Sequence, residues 1–193
     1  GGPKTGALVA LYTSEGCSSC PPAEQRLSRL KQTLGASAEA IPLALHVGYW
    51  DYIGWHDPYA KDAFTERQSW LVHLNKHRTV YTPHFFVGGT ELSLQNEALG
   101  EEVRRVNARP AGAEIRLKAN VDSSGKLAVS ADATARVRSS PVSLYLAVTE
   151  SGLISKVTRG DTAGPPLTHD HLAPAWVGPI RTTSGPAPVT GPP

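Results

Sequence analysis

The chain has no methionine in its 193 residues, only two cysteines, and no apolar run long enough to cross a bilayer as a helix. Two cysteines cannot build a spread-out disulfide framework. Nor can they complete a zinc finger, because there is no third cysteine and the histidines follow no finger-like spacing after Cys20. Runs of one charge are also absent: 19 Lys and Arg stand against 17 Asp and Glu, a net charge of +2, so nothing points to a nucleic acid or a strongly anionic membrane surface. The lack of methionine removes the usual auxiliary soft ligand of a Cu(I) site. What remains is a chain that is 40% hydrophobic, enough for a real core in one large domain or two small ones.

Both cysteines fall in one motif, Cys17-Ser18-Ser19-Cys20, between an apolar run at residues 7–13 and an amphipathic segment. Two thiols placed where a buried strand turns into a helix meet unpaired N–H groups and a partial positive charge. That setting favours thiolate over thiol. Pro21 and Pro22 suit early helical positions, and Ala23, Leu27, Leu30 and Leu34 share a helical face running to about residue 34. A purely structural bridge closing so short a loop would remove little unfolded-state entropy. A redox-active dithiol is therefore the leading reading, with metal delivery or an idle pair as alternatives. Cys17, ahead of the helix, is expected to reach solvent and act as nucleophile, with a more buried Cys20 resolving the mixed disulfide. Glu15, being acidic, opposes the thiolate.

Ile41, Leu43, Ala44, Leu45 and Val47 give a second buried strand, completing a βαβ unit. Its strands should end on the same edge of a sheet, which makes the segment after Val47 a neighbour of Cys17. That segment holds His46, Tyr49, Trp50, Asp51, Tyr52, Trp55, His56 and Tyr59. These side chains either pin a long loop or wall the thiols, in which case His46 and Asp51 could relay protons during exchange. Asp57-Pro58 has the signature of a helix start, with Ala60, Phe64, Leu71 and Leu74 as the buried stripe of a helix ending near Lys76. His73 and His77 lie one turn apart but read as a solvated face. Thr82-Pro83 stands at a strand start, where a cis bond is expected. Gly88-Gly89 marks a hairpin, and Asn96 caps a third helix carrying Leu99, Val103 and Val106 inward.

This β-α-β-α-β-β-α order, with Cys-x-x-Cys at the first helix and Thr-Pro before the third strand, resembles the thioredoxin fold over residues 7–108. Thr13-Ser14-Glu15-Gly16-Cys17-Ser18-Ser19-Cys20-Pro21-Pro22-Ala23, His46-Val47-Gly48-Tyr49-Trp50-Asp51-Tyr52-Ile53-Gly54-Trp55, Phe64-Thr65-Glu66-Arg67-Gln68 and Tyr81-Thr82-Pro83 are similar to the family called domain of unknown function 1223. Arg159-Gly160-Asp161-Thr162-Ala163-Gly164 and Leu167-Thr168-His169-Asp170 resemble its C-terminal pattern. The resemblance implies a thioredoxin-like, mostly exported bacterial protein with a β-rich extension, and no assigned reaction. Two positions depart from it: Gly48 where relatives usually carry an acid, and His84 where an amide is common. In thioredoxin-like proteins the turn before the proline lies against the dithiol and offers backbone to a substrate strand. Thr82, Pro83 and Trp50 are accordingly expected to bind substrate, with His46, Asp51, Glu15 and His84 in auxiliary positions.

Beyond Arg109-Pro110-Ala111-Gly112 the period changes to 2, with Ile115, Leu117, Ala119 and Val121, then Leu127, Val129 and Ala131, then Val142, Leu144, Leu146 and Val148. These read as half-buried antiparallel strands, with a further strand at residues 153–159. The expected organisation is a thioredoxin-like α/β domain at 1–108, a small antiparallel β-rich extension packed on it at 109–177, and a flexible Pro/Gly-rich tail at 178–193. His169 and His171 share one face of an extended segment, but with no soft ligand nearby no metal is expected, and no cofactor. The expected function is thiol-disulfide exchange with protein or small thiol partners through Cys17 and Cys20. The alternatives are a copper-binding metallochaperone using Cys17, Cys20 and His84, or a non-catalytic binding module. The Gly1-Gly2-Pro3 start and the missing methionine suit a processed export protein, so a periplasmic or secreted location is expected.

Overall fold

The structure, a computed structural model, describes residues 4–93, 98–136 and 142–181. The apolar run forms β1 (Ala7–Thr13), which is covered along nearly its whole length. It pairs in parallel with β2 (Ala40–His46), Thr13 opposite His46, and antiparallel with β3 (His84–Val87), Tyr12 opposite His84. Gly88 and Gly89, both at positive φ, turn β3 into β4 (Thr90–Leu92), the hairpin the sequence signals. With β7 (Ser143–Glu150) and β10 (Leu172–Arg181) these make a six-stranded mixed sheet in the order β4-β3-β1-β2-β10-β7.

Alternation along the strands sorts side chains onto two faces. Ala7, Val9 and Leu11 of β1, Ala40 and Ala44 of β2, and Phe85 and Val87 of β3 form one apolar cluster. It includes Ala23 and Leu27 of α1 (Cys20–Ser28), Leu30 and Leu34 of α2 (Leu30–Leu34), and Leu99, Val103 and Val106 of α4 (Leu99–Asn107). Burying each large member stabilises the fold by roughly 1.5–3 kcal/mol. Tyr12, His84 and Phe86 point the opposite way, Tyr12 and Phe86 meeting edge to face at 5.7 Å. On that side α3 (Asp62–Leu74) buries Phe64, Gln68, Leu71 and Val72.

Several local expectations are corrected. The first helix breaks at Arg29 into α1 and α2. The helix expected from Asp57-Pro58 begins instead at Asp62; Ala60 lies outside it and Leu74 is exposed. The physical reason is that Asp57 Oδ1 accepts the N–H of Tyr59, closing a turn, while the other oxygen is engaged elsewhere. Asn96 lies outside the described residues.

The chain divides into two compact units. One comprises Gly6–Ala108 and Val148–Pro174, the other Gly1–Thr5, Arg109–Ala147 and Ala175–Pro193. The first includes the short hairpin of β8 (Leu153–Ser155) and β9 (Leu167–His169), so the strand expected at 153–159 stops after three residues. The second holds the antiparallel pair β5 (Ala113–Val121) and β6 (Leu127–Ala135), whose turn is fixed by Asp122 accepting from the N–H groups of Ser124 and Lys126. The expected half-burial of these strands is not found: Ile115, Leu117, Val121 and Leu127 are all exposed, and Ala131 is the buried exception. Alternation reports which face is apolar, not whether anything covers it. β10 runs through Gly178 to Arg181, so the first residues of the expected tail are strand, and 182–193 lie outside the described residues.

Candidate functional site

Where β1 ends, the backbone folds into successive tight turns: the N–H of Cys17 donates to Ser14 O and that of Cys20 to Cys17 O, both at 3.1 Å. The Cys17 and Cys20 sulfurs lie at disulfide distance, 2.19 Å apart with Cα atoms at 5.4 Å. Cys20 is the first residue of α1, with Pro21 next in line. Pro21 and Pro22 carry no N–H and that of Cys20 is taken, so the helix start offers a Cys17 thiolate fewer donors than the sequence suggests. The expected difference in exposure is also absent: both cysteines are 0% exposed, with Ser18 and Ser19 outside them.

Trp50 closes this turn. Its Cβ and carbonyl oxygen stand so near Gly16 that a methyl there would lie 2.9 and 3.3 Å from them. Its indole N–H donates to Thr82 Oγ1 at 2.7 Å, immediately before the cis Thr82–Pro83 bond. Trp50 thus links the residue preceding Cys17 to the residue preceding Pro83. Asp51 turns away to its own loop, pairing with exposed His56 and accepting the N–H of Asp57. His84 is fully buried on the α3 face of the sheet, its two nitrogens engaged by Gln68 and Glu91. Burial pushes its pKa down further than Glu91 lifts it. Tyr81 stacks on it at 4.0 Å.

On the α1 face lies a buried ionic network. His169 is held between two carboxylates, Nε2 at 3.0 Å from Glu15 Oε1 and Nδ1 at 2.7 Å from Glu24 Oε2. Burial disfavours its charge, but the two carboxylates outweigh burial and lift its pKa to about 9. Glu24, at one turn from Cys20, also accepts from Thr13 Oγ1 at 2.6 Å. Burial raises Glu15, yet hydrogen bonds from His169, Ser155 and Trp55 bring its carboxyl below the usual value. Thr162 donates to the Glu15 carbonyl. His46 Nδ1 meets Asp57 Oδ2 at 2.7 Å, and the same oxygen accepts the N–H of Glu15 at 2.8 Å. Burial pushes Asp57 up, and His46 with the backbone N–H groups of Glu15 and Tyr59 more than reverses it. The imidazoles of His46 and His169 cross nearly at right angles with centroids 5.0 Å apart, and the Tyr59 ring lies edge-on to both.

The structure therefore ties the turn that holds Cys17 and Cys20 through Trp50 to Thr82, with the cysteines, Thr82 and Pro83 all buried, and puts His46 and Glu15 in the buried network. Of the other members of the network, Asp57 was expected only as a helix start, His169 only as part of the C-terminal pattern with no metal, and Glu24 in no role. Glu24 was detectable, as a carboxylate inside the apolar stripe of α1. His169 was not, because its partners are 145 and 154 residues away.

The profile of a family described as Protein of unknown function (DUF1223) matches residues 8–190. The chain belongs to this family. Two solved structures are similar to this DUF1223 chain. One is the crystal structure of protein AGR_C_4864 from Agrobacterium tumefaciens, 22% identical, with a TM-score of 0.65 over 95% of this chain and 76% of that one. The other is HBP35 of Porphyromonas gingivalis, 15% identical, with a TM-score of 0.67 over 92% of this chain and 58% of that one. At these identities the likeness concerns fold. No curated protein matches the chain.

Proposed function

We propose that this DUF1223 chain is a thioredoxin-like thiol-disulfide oxidoreductase acting through Cys17 and Cys20 on protein or small thiol partners. The observation that carries the reading is the cysteine pair at disulfide distance in the turn between β1 and α1, with Trp50 joining that turn to Thr82. The order β1-α1-α2-β2-α3-β3-β4-α4, with β1 parallel to β2 and antiparallel to β3, supports the fold assignment. A location outside the cytoplasm, periplasmic or secreted, belongs to the same proposal, since an oxidised pair persists in such compartments.

In the oxidised protein a partner thiolate attacks Cys17 Sγ. The Cys17–Cys20 bond breaks, Cys20 leaves as thiolate and takes a proton, and a mixed disulfide joins Cys17 to the partner. A second partner thiolate then attacks the partner's own sulfur, releasing Cys17 as the thiolate and leaving the partner disulfide. The protein gains two electrons and the partner loses two. Because both cysteines are fully buried, the attack requires displacement of the 17–20 turn. Thr82 and Pro83, both buried, become the neighbouring backbone for the partner when that cover is displaced. His84 has no nitrogen to spare for a metal shared with the thiols, which disfavours the copper-delivery alternative.

The test is a redox titration against glutathione and dithiothreitol buffers, read by alkylation. A reversible two-electron transition is expected, and Cys20→Ser should accumulate mixed disulfides through Cys17 while Cys17→Ser accumulates almost none. A pair that stays oxidised in millimolar dithiothreitol, or partner trapping confined to Cys17→Ser, would sink the proposal.

A further inference from the structure

The network on the α1 face contains one feature that hydrogen bonding leaves open. His46 is 0% exposed, its Nδ1 is held by Asp57, and its Nε2 has no hydrogen-bond partner. Leaving a buried ring nitrogen unsatisfied is unfavourable, because its desolvation is not offset by a partner. The donor atoms of His46, His169 and Glu24 all lie within 4.8 Å of one another.

Each of these side chains is fixed from behind by a partner of its own. Asp57 holds His46 through Nδ1, Glu15 holds His169 through Nε2, and the Thr13 hydroxyl holds Glu24 through Oε1. The atoms left over are His46 Nε2, His169 Nδ1 and Glu24 Oε2. A carboxylate on the far nitrogen of each imidazole is the arrangement that orients metal-bound histidines and raises their basicity. The short contact between His169 Nδ1 and Glu24 Oε2 carries a proton, and His46 Nε2 has no hydrogen-bond partner.

We propose that Glu24, His46 and His169 form a site for a divalent cation of the zinc class, with Asp57, Glu15 and Thr13 as its orienting partners. Two imidazoles and one carboxylate are the ligand set that borderline cations such as Zn²⁺ accept with a further position open. Binding exchanges a cation for the proton on His169 Nδ1, which leaves to solvent; nothing is oxidised or reduced. Metal–ligand bonds of about 2.0–2.2 Å require the 2.7 Å contact between His169 Nδ1 and Glu24 Oε2 to open. Glu24, 8% exposed, is the least buried of the three and marks the side from which a cation enters. The site uses neither cysteine, so it stands or falls independently of the redox reading.

The experiment uses the oxidised full chain after chelator treatment, titrated with Zn²⁺ by calorimetry and with Co²⁺ by visible absorption. One equivalent per chain is expected, with Co²⁺ ligand-field bands and no thiolate charge-transfer band, unchanged in the Cys17→Ser/Cys20→Ser double variant. Asp57→Asn, which removes an orienting partner but no ligand, should lower affinity about 10–100-fold. His46→Gln should abolish stoichiometric binding. The proposal is overturned if the oxidised wild-type chain binds neither ion stoichiometrically, if the double serine variant loses the ion, or if folded His46→Gln binds as the wild type does. Should His46→Gln fail to fold, the wild-type spectrum and the Asp57→Asn affinity decide the question.

Discussion

A charged imidazole enclosed between two carboxylates makes the stability of this chain depend on pH in a direction set by residue chemistry. In the metal-free protein His169 has its pKa raised from 6.5 to about 9. Its contribution is therefore complete below about pH 6.5, falls as pH rises, and is lost once pH passes through about 9. Glu15 and Asp57 act oppositely: held below 4.5 and 3.8, they contribute above those values and lose the contribution as pH falls through their lowered pKa values. Denaturant unfolding across pH should show both limbs. His169→Gln should flatten the alkaline limb and cost about 3–5 kcal/mol near neutrality, because two buried carboxylates lose their counter-charge. An alkaline limb that persists in the variant would assign it elsewhere. At this scale the sequence was only partly legible. The two cysteines, Trp50 and Thr82-Pro83 announced themselves by motif, whereas His169 is defined by partners on a distant segment that no spacing encodes.

At the scale of elements, the connection from β1 to α1 is clamped by the segment that follows β2. Gly16 has Trp50 against its Cα hydrogens, with no room for a Cβ. Gly16→Ala should push Trp50 outward, weaken its bond to Thr82 and destabilise the protein by about 1–3 kcal/mol in thermal or denaturant unfolding. The same variant should speed alkylation of the reduced Cys17, since the cover over the turn is loosened. Unchanged stability and unchanged alkylation would show that the loop absorbs a methyl freely. Elements with strong periodicity were readable: the apolar run of β1, the Gly88-Gly89 hairpin, and Leu99, Val103 and Val106 of α4 all stand where the pattern puts them. The error at Asp57-Pro58 has a physical origin. A helix cap and an Asx turn both use a carboxylate accepting an N–H two residues on, so the local sequence is the same for both. Only the buried partners, His46 and the Glu15 N–H, distinguish them.

For the molecule as a whole, the decisive fact is that Gly6–Ala108 shares its compact unit with Val148–Pro174. The returning segment buries Val157, His169, Leu172 and Ala173, and it sets Leu172 in parallel register beside Ala44 of β2. The change of period after residue 109 was visible in sequence and packing of the extension on the first part was expected, but the pairing of Leu172 with Ala44 and of His169 with Glu15 and Glu24 was not, because apolar alternation names a face without naming its partners. A chain ended at residue 108 would leave Glu15 and Glu24 without His169 and open the edge of β2 to solvent. Each buried apolar side chain lost removes roughly 1.5–3 kcal/mol, and the unpaired carboxylates add to the loss, which together approach the whole stability of a domain this size. We expect residues 6–108 alone to lack a cooperative unfolding transition, to bind a hydrophobic dye and to exchange backbone amides of β2 rapidly. The full chain should unfold cooperatively under the same conditions. If the 6–108 fragment melts cooperatively within a few degrees of the full chain, the segment 148–174 is an ornament on the fold rather than part of its core.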